Sequence, residues 1–271
     1  MNALQKLQER YAIGEARALY ELVLSQRFGL SRTDILLGKD TTLSAKDKAE
    51  LQIIIGRVAK GEPVQYVLGQ EEFCGRAFQV GPGVLIPRPE TQQLIELVKQ
   101  NVVPKKSVLD IGTGSGCIAI TLALEGYKVS AFDVSDEALA YARKNAEKLG
   151  AEVEFRQENI LQPEPSDECW DAIVSNPPYI CKSEADAMDE NVLEHEPHLA
   201  LFVPDDDPLL FYRAIAEFGL QHLANEGQIF FEVNSVYAKK VEELLSEKGY
   251  KETKIMKDQY DKERFVCARK K

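Results

Sequence analysis

The stretch Asn176-Pro177-Pro178-Tyr179 combines residue types that can hold a planar amino group. Proline donates no backbone hydrogen bond and restricts the residue before it, so the two prolines should end the apolar run WDAIVS (170–175) in a rigid turn. The side-chain oxygen of Asn176 and the backbone oxygen of Pro177 are then two acceptors at a fixed separation, which suits an NH₂ group with two protons. Tyr179 adds an aromatic face for a planar amide or base. The motif predicts an amino-group site rather than an ordinary proline-terminated strand.

A glycine-rich segment is a second candidate binding element. Gly112, Gly114 and Gly116 lie between the apolar runs SVLDI (107–111) and CIAITLALEG (117–126), where a strand should pass to a helix. Glycine there lets the backbone approach a ligand closely. The spacing lacks the final glycine of G-x-G-x-x-G, and no Gly-Lys-Ser/Thr follows. Both a nicotinamide dinucleotide and a P-loop nucleotide are therefore disfavoured.

Two acidic residues accompany this loop. Asp133 stands 21 residues after Gly112, at the end of KVSAFDV (128–134), where a carboxylate can accept both hydroxyls of a ribose. Asp110 precedes the loop and could meet a ligand ammonium or its water. The alternative is that the glycines only form a tight turn and that Asp133 caps a helix. The Asn-Pro-Pro-Tyr motif, expected at the same edge of the sheet, favours a binding site.

The elements that must position these motifs alternate between strand and helix after residue 91, which predicts a parallel, doubly wound α/β sheet. The carboxyl ends of its strands should meet at one edge and carry both motifs. The last segments, 254–256 and 265–268, are expected to pair as a closing hairpin. The predicted strands are 107–111, 128–134, 153–160, 170–175 and 227–233, and the predicted helices are 117–126, 135–150, 208–223 and 236–249.

The first part of the chain reads differently. Apolar residues recur at helical spacing, one helix should stop near Gly29, and another should run from Ser44 to Gly61. Residues 73–90 are strand-like and punctuated by glycine and proline, which predicts a β-hairpin. We therefore expect a small helical domain at 1–72, a hairpin linker at 73–90 and a second domain at 91–271.

Composition limits the classes of function. The chain of 271 residues is 44% hydrophobic and carries 33 Lys and Arg against 44 Asp and Glu, a net charge of -11 that lies wholly in residues 76–271. A duplex-binding protein usually shows a basic excess, so nucleic acid is a disfavoured partner. The absence of a long apolar run and of a signal-peptide core predicts no membrane association and a cytoplasmic protein.

Several reactive residue types have ordinary interpretations. The five cysteines are scattered without a C-x-x-C pair, which favours reduced structural thiols and no metal site. His195, between two glutamates, could serve as a ligand or a base, but a lone histidine in a charged loop is more often structural. The run Asp205 to Asp207 could bind a cation, although most such runs are solvent-facing turns. None of these residues is assigned to catalysis.

Together the motifs resemble S-adenosylmethionine-dependent methyltransferases that modify planar amino groups, either glutamine amides or exocyclic amines of DNA bases. Further stretches are similar to one family, the glutamine-specific methyltransferases of peptide chain release factors. These stretches are GEPVQYVLGQEEFCGRAFQVGPGVLIPRPET (61–91), HEPHLAL (195–201) and Tyr212-Arg213. The chain departs from the family pattern at Gln92, in VPDDDPL (203–209) and in FEVNS (231–235).

This resemblance implies a Rossmann-like methyltransferase domain, joined by the β-hairpin to a helical substrate-recognition domain. The cofactor is then S-adenosylmethionine, with S-adenosylhomocysteine as product, and the partner is a release factor bound by a monomer. The resemblance assigns the cofactor to Asp110, Gly112, Thr113, Gly114, Gly116, Asp133, Asn159 and Asn176. It assigns the substrate amide to Asn176, Pro177, Pro178 and Tyr179, with Asn176, Pro177 and Tyr179 catalytic, and places Arg88 and Glu90 at the substrate pocket or domain joint.

The expected reaction moves a methyl group to the side-chain amide nitrogen of a glutamine in a release factor and so modulates translation termination. Two other functions remain open from sequence. A DNA amino-methyltransferase would need a basic cleft and base stacking on Tyr179. A binding module without catalytic activity would use the fold only as a scaffold and would show no affinity for the cofactor.

Overall fold

The computed structural model describes residues 3–271, so the first two residues of the predicted domain 1–72 lie outside the described part. Contacts divide the chain into two units. The first unit runs through Gln70 and also includes Asp189–His195. The second unit comprises Glu71–Met188 and Glu196–Lys271, and therefore contains most of the hairpin region as well as the sheet.

The first unit is helical, and local capping explains where its helices begin and end. The hydroxyl of Ser44 accepts the backbone N–H of Asp47 at 3.1 Å and caps one helix. Gly29, in the left-handed conformation, ends another. Buried aliphatic side chains, Leu24 and Ile55 among them, form a separate core. The helices are α1 (Ala3–Leu7), α2 (Ile13–Phe28), α3 (Arg32–Leu36), α4 (Ala45–Val58), α5 (Val64–Leu68) and, later in the chain, α9 (Glu190–His195).

Helix α9 belongs to this first unit through polar contacts with the start of the chain. The guanidinium of Arg10 donates to a carboxylate oxygen of Glu190 and to the side-chain oxygen of Asn191, each at 2.8 Å. The amide of Asn191 also donates to the hydroxyl of Tyr11 at 3.4 Å. Residues 189–195 are thus held by residues of their own helical unit, although they come much later in the sequence.

The second unit contains a seven-stranded sheet of order β10-β11-β9-β6-β3-β4-β5 within the described residues. Strands β9, β6, β3, β4 and β5 are parallel, whereas β11 and β10 add an antiparallel hairpin at one edge. The predicted α/β class and closing hairpin are confirmed. The strands are β1 (Gln70–Phe73), β2 (Arg76–Gln79), β3 (Ser107–Ile111), β4 (Lys128–Asp133), β5 (Val153–Gln157), β6 (Trp170–Ser175), β7 (Ile180–Cys181), β8 (Phe202–Val203), β9 (Leu223–Glu232), β10 (Lys251–Lys257) and β11 (Glu263–Arg269).

Helices cover both faces of the sheet. Side chains alternate between the two faces of each strand, so each strand contributes apolar residues to both layers. On β3, Val108 packs in one apolar layer and Leu109 in the other. Burial on both faces explains why the central strands are continuous apolar runs. The helices of this unit are α6 (Pro89–Asn101), α7 (Cys117–Leu124), α8 (Asp136–Leu149), α10 (His198–Leu201), α11 (Leu210–His222) and α12 (Ala238–Glu247).

Some predicted boundaries were wrong. Strand β9 begins at Leu223, which pairs with Trp170 across an irregular register, so Leu223 belongs to the strand and not to the preceding helix. Helix α4 ends at Val58, because its last turn unwinds toward Gly61, whose φ is +98°. Strand β5 ends at Gln157, before the predicted limit at 160.

None of the described helices is both long and apolar enough to span a membrane. Among residues 3–271 there is also no group of three or more His, Cys, Asp or Glu side chains arranged to hold a metal ion. Two members of the acidic run make local contacts, since Asp207 forms paired hydrogen bonds with Arg213 and Asp205 accepts from Ser183. The Nδ1 of His195 donates to the carbonyl oxygen of Asn191 at 3.1 Å, a structural contact.

Candidate active site

A cavity of about 440 Å³ lies at the carboxyl edge of the sheet in the second unit. This volume falls in the usual range for small-molecule sites, roughly 300–1,000 Å³. Residues at the ends of β3, β4 and β6 form its walls, as expected for a ligand site in an open α/β sheet. Of the predicted site residues, the cavity is lined by Gly112, Gly114, Asp133, Asn159, Asn176, Pro177 and Pro178.

The three glycines of the loop have different structural roles. Gly112 and Gly114 have φ angles of +76° and +55°, and a Cβ built on either would meet no atom within 4 Å. Both line the cavity, so the missing side chains leave space that a ligand can enter. Gly116, with φ of +82°, does not line it, and a Cβ there would lie 2.8 Å from Ile120 and 3.1 Å from Ala142. Gly116 therefore serves close packing of α7 on α8.

Asp133 links the end of β4 to the glycine loop. One carboxylate oxygen accepts the backbone N–H of Gly114 at 2.8 Å, and the other accepts that of Ser135 at 2.9 Å. Burial raises the pKa of Asp133 above its ordinary value, although these N–H groups oppose the shift. Each carboxylate oxygen keeps a further lone pair, and the residue lines the cavity. The geometry suits two ligand hydroxyls.

Asp110 is fully buried and does not line the cavity. Its Oδ2 accepts the hydroxyl of Thr113 at 2.7 Å and the backbone N–H of Ala119 at 3.2 Å. Its Oδ1 has no hydrogen-bond partner in the described structure, and burial raises the pKa of Asp110 to about 7. Asp110 thus fastens the loop to α7 and keeps one buried acceptor free beside it.

Residues after β5 add apolar and amide groups to the cavity wall. Asn159, Ile160 and Leu161 line it together with Val134, whose side chain is exposed. The side-chain oxygen of Asn159 accepts the backbone N–H of Leu161 at 3.0 Å, which fixes this turn. These apolar side chains suit contact with a flat heterocycle.

The Asn-Pro-Pro-Tyr motif follows β6 directly, and its first three residues reach the cavity. Asn176 donates through Nδ2 to the hydroxyl oxygen of Thr91 at 3.3 Å, which leaves its side-chain oxygen available. Tyr179 does not line the cavity, and its hydroxyl donates to Glu232 at 3.3 Å while its ring packs on the core. The structure therefore gives no support to the predicted stacking face, because the ring is turned into the protein.

Arg88 and Glu90 do not line the cavity either. The Arg88 guanidinium donates to Glu196, whose other carboxylate oxygen accepts the backbone N–H of Ile86 at 3.1 Å. Since the side chain of Glu196 is only 1% exposed, this contact fastens the segment before α6 to the segment before α10. Neighbours on both segments, including Leu85 and Pro197, line the cavity.

Sequence reasoning missed three buried polar residues here, namely Thr91, Glu196 and Glu232. Glu232 ends β9 at the same edge as the other site residues and is 1% exposed. A signal was present, because an acidic residue closes an otherwise apolar strand, IFFE (229–232). A buried carboxylate in such a run requires partners, and finding none nearby in sequence would have directed attention to the site.

The sheet, the glycine loop and the motif after β6 define a Rossmann-like methyltransferase. Residues 89–199 match the family model described as the methyltransferase small domain, and residues 1–69 match the PrmC N-terminal domain. The folds of two solved structures agree. A Pyrococcus furiosus methyltransferase has a TM-score of 0.55 at 18% identity, covering 79% of this chain and 96% of that one. A Thermus thermophilus 16S rRNA N2 G1207 methyltransferase, in complex with AdoMet and guanosine, has a TM-score of 0.55 at 20% identity, covering 74% and 50%.

The chain belongs to the family of release factor glutamine methyltransferases. It is 46% identical to the protein of that name from Bacteroides thetaiotaomicron, over 97% of this chain and 96% of the relative. The protein from Flavobacterium psychrophilum is 42% identical over 93% and 91%, and that from Bacillus subtilis is 39% identical over 92% and 89%. The expected family and class of enzyme are confirmed, and both rival functions are disfavoured.

Proposed function

We propose that this protein transfers a methyl group from S-adenosylmethionine to the side-chain amide nitrogen of a glutamine in a peptide chain release factor. One observation carries the residue-level assignment. Asn176 lines the same cavity as Asp133 and the glycine loop, and its Nδ2 donates to Thr91, which leaves its side-chain oxygen as the amide atom available to a substrate. The names of the relatives support the substrate.

Four features of the chain fit the cofactor, three in the cavity lining and a fourth, Asp110, outside it. Gly112 and Gly114 leave open space where a Cβ would stand, and Asp133 has acceptors free for a ribose. Asn159 and its apolar neighbours suit an adenine. Asp110 keeps a buried acceptor for the ammonium of the methionine end, directly or through water. S-adenosylmethionine, when bound, supplies a methyl group activated by a positively charged sulfur.

The substrate amide is held by Asn176 and Pro177. An amide nitrogen is a poor nucleophile because its lone pair is delocalised, so positioning must supply much of the catalysis. Two fixed acceptors, the Asn176 side-chain oxygen and the Pro177 carbonyl, bind the two N–H protons and orient the nitrogen. They also favour the positive charge that develops there, and so act more strongly in the transition state than before it. The nitrogen then releases one proton to water.

The helical first unit is assigned to recognition of the release factor beyond its glutamine. Residues 1–75 carry equal numbers of basic and acidic residues, which suits a folded protein more than phosphate. We assign the chain to the cytoplasm, where termination takes place, and to a monomeric state.

The experiment is incubation of the purified protein with labelled S-adenosylmethionine and, separately, bacterial release factors, unrelated proteins and DNA. Label on a glutamine of a release factor is expected. Label on DNA without label on protein would instead establish an amino-methyltransferase of nucleobases. Cofactor binding measured by calorimetry separates an inactive preparation from a scaffold that does not bind the cofactor.

A further inference from the structure

Asn176 stands at one end of a buried chain of hydrogen bonds. Its Nδ2 donates to the Thr91 hydroxyl oxygen at 3.3 Å, and that hydroxyl donates to Glu232 Oε2 at 2.7 Å. The other oxygen of Glu232 accepts the hydroxyl of Tyr179 at 3.3 Å. Thr91 is 2% exposed and Glu232 is 1% exposed, so solvent does not replace these partners.

The donor and acceptor groups of these residues fix the direction of each hydrogen bond in the series. An ionised carboxylate only accepts hydrogen bonds, so the single proton of the Thr91 hydroxyl points to Glu232. The Thr91 oxygen can then only accept, and it accepts from an N–H of Asn176. An amide has donors on one side and an acceptor on the other, so this leaves the Asn176 oxygen for the cavity.

We propose that Glu232 and Thr91 are positioning residues for the methyl transfer, because together they make Asn176 present its oxygen, and not its NH₂, to the substrate amide. The inference rests on the proposed function and deepens it. If the carboxylate were neutral, it could donate to Thr91, and the hydroxyl could then donate to the Asn176 oxygen. The amide would turn and set its own NH₂ against that of the glutamine.

The surroundings of Glu232 make this direction sensitive to pH. Burial raises the pKa of Glu232 to about 7, with Glu90 on α6 adding to the shift. Thr91, Arg264 on β11 and Tyr179 oppose it. From α11, Tyr212 donates its hydroxyl to the Glu232 backbone carbonyl at 3.1 Å. Turnover should therefore decline as the pH falls through about 7, where Glu232 becomes protonated.

The test uses the full chain, a purified bacterial release factor and labelled S-adenosylmethionine. Thr91→Val removes the hydroxyl at nearly constant volume, and Thr91→Ser restores it. Glu232→Gln keeps the shape and removes the charge. Thr121→Val is the matched control, since the Thr121 hydroxyl is buried and has no hydrogen-bond partner in the described structure.

We expect Thr91→Val and Glu232→Gln to lower kcat about 10- to 100-fold, the scale for loss of an outer hydrogen bond that orients a site. Cofactor affinity by calorimetry should not change, and Thr91→Ser should recover most of the rate. In Glu232→Gln the decline of kcat below neutral pH should shrink to whatever part Asp110 contributes, since its pKa is also about 7.

Near-wild-type kcat in folded Thr91→Val or Glu232→Gln would overturn the inference, as would a Thr91→Ser variant as slow as Thr91→Val. These outcomes leave the proposed function standing, provided that the wild-type protein methylates the release factor. A wild-type protein that binds S-adenosylmethionine but does not label the release factor would contradict the proposed function itself.

Discussion

The carboxylate of Asp133 accepts the backbone N–H of Gly114 at 2.8 Å, so the residue assigned to the ribose also holds the glycine loop. Two residues that are 19 positions apart in the sequence are thereby fixed against each other at the carboxyl ends of β3 and β4. Loss of this carboxylate should disturb the cofactor site in two ways, by removing acceptors and by freeing the loop.

Asp133→Ala should weaken binding of S-adenosylmethionine by roughly 1–3 kcal/mol, the scale for lost charge-assisted hydrogen bonds. Asp136→Ala, which removes an exposed carboxylate outside the cavity lining, is the matched control. Calorimetry on both folded variants measures the effect, and equal affinities would remove Asp133 from the site.

Asn176→Ala should lower turnover about 100-fold or more while cofactor affinity stays nearly constant, because its oxygen acts mainly on the transition state. Steady-state kinetics with a release factor, together with calorimetry, separate the two quantities. Turnover close to that of the wild type would make the motif structural.

Gly116→Ala should destabilise the second unit by packing as well as by strain. Its left-handed backbone alone costs about 1–2 kcal/mol for a residue with a side chain, and overpacking adds about 1–3 kcal/mol. Gly150→Ala is the control, because Gly150 has φ of +70° but no atom within 4 Å of a built Cβ. Urea denaturation should show the larger loss in the free energy of unfolding for Gly116→Ala. Equal losses would mean that α8 shifts to accommodate the extra methyl group.

The free energy of unfolding should depend on the protonation of Asp110. The dependence should fall between pH 3.8, the ordinary pKa, and about 7, the pKa in the folded protein. A raised pKa favours the protonated folded form, so the contribution is complete below 3.8 and is lost as pH rises through about 7. Asp110→Asn should therefore show a smaller decrease of the free energy of unfolding across this window. An unchanged slope in urea titrations would contradict the assignment.

If the helical unit recognises the release factor, its exposed apolar side chains should matter for KM. Leu36 and Leu37 are 65% and 70% exposed at the end of α3. Changing both to Ser should raise KM for the release factor and leave cofactor affinity unaltered. Val103→Ser, at a side chain of the second unit that is 65% exposed, is the control. An unchanged KM would move recognition away from this helix.

The sequence predicted the sheet well, since strands buried on both faces are continuous apolar runs, and Ser107–Ile111 has the expected limits. It also predicted which strand ends reach the cavity, because parallel strands share a carboxyl edge. It could not show that Asn176 lies against Thr91 and, through it, Glu232. These three residues lie on separate elements, and only the packing of α6 on β9 brings them together.

The short elements were missed for a related reason. Helices α9 and α10 and strands β7 and β8 have two to six residues each, too few for a periodic pattern. Their conformation depends on contacts made far along the chain, as Arg10 shows for Glu190. The turning of Tyr179 into the core is likewise a packing outcome, since its ring and hydroxyl find partners on other elements.

The hydrogen bond from Asn176 Nδ2 to Thr91 has a consequence for which side chains the enzyme accepts. With that donor occupied, the motif offers only oxygen atoms, and a glutamate carboxylate would meet lone pairs where a glutamine places N–H groups. We expect the enzyme to discriminate against the deamidated substrate. A release factor whose glutamine has hydrolysed to glutamate should remain unmodified. A release factor with that Gln-to-Glu change should neither accept label nor compete well with the intact protein.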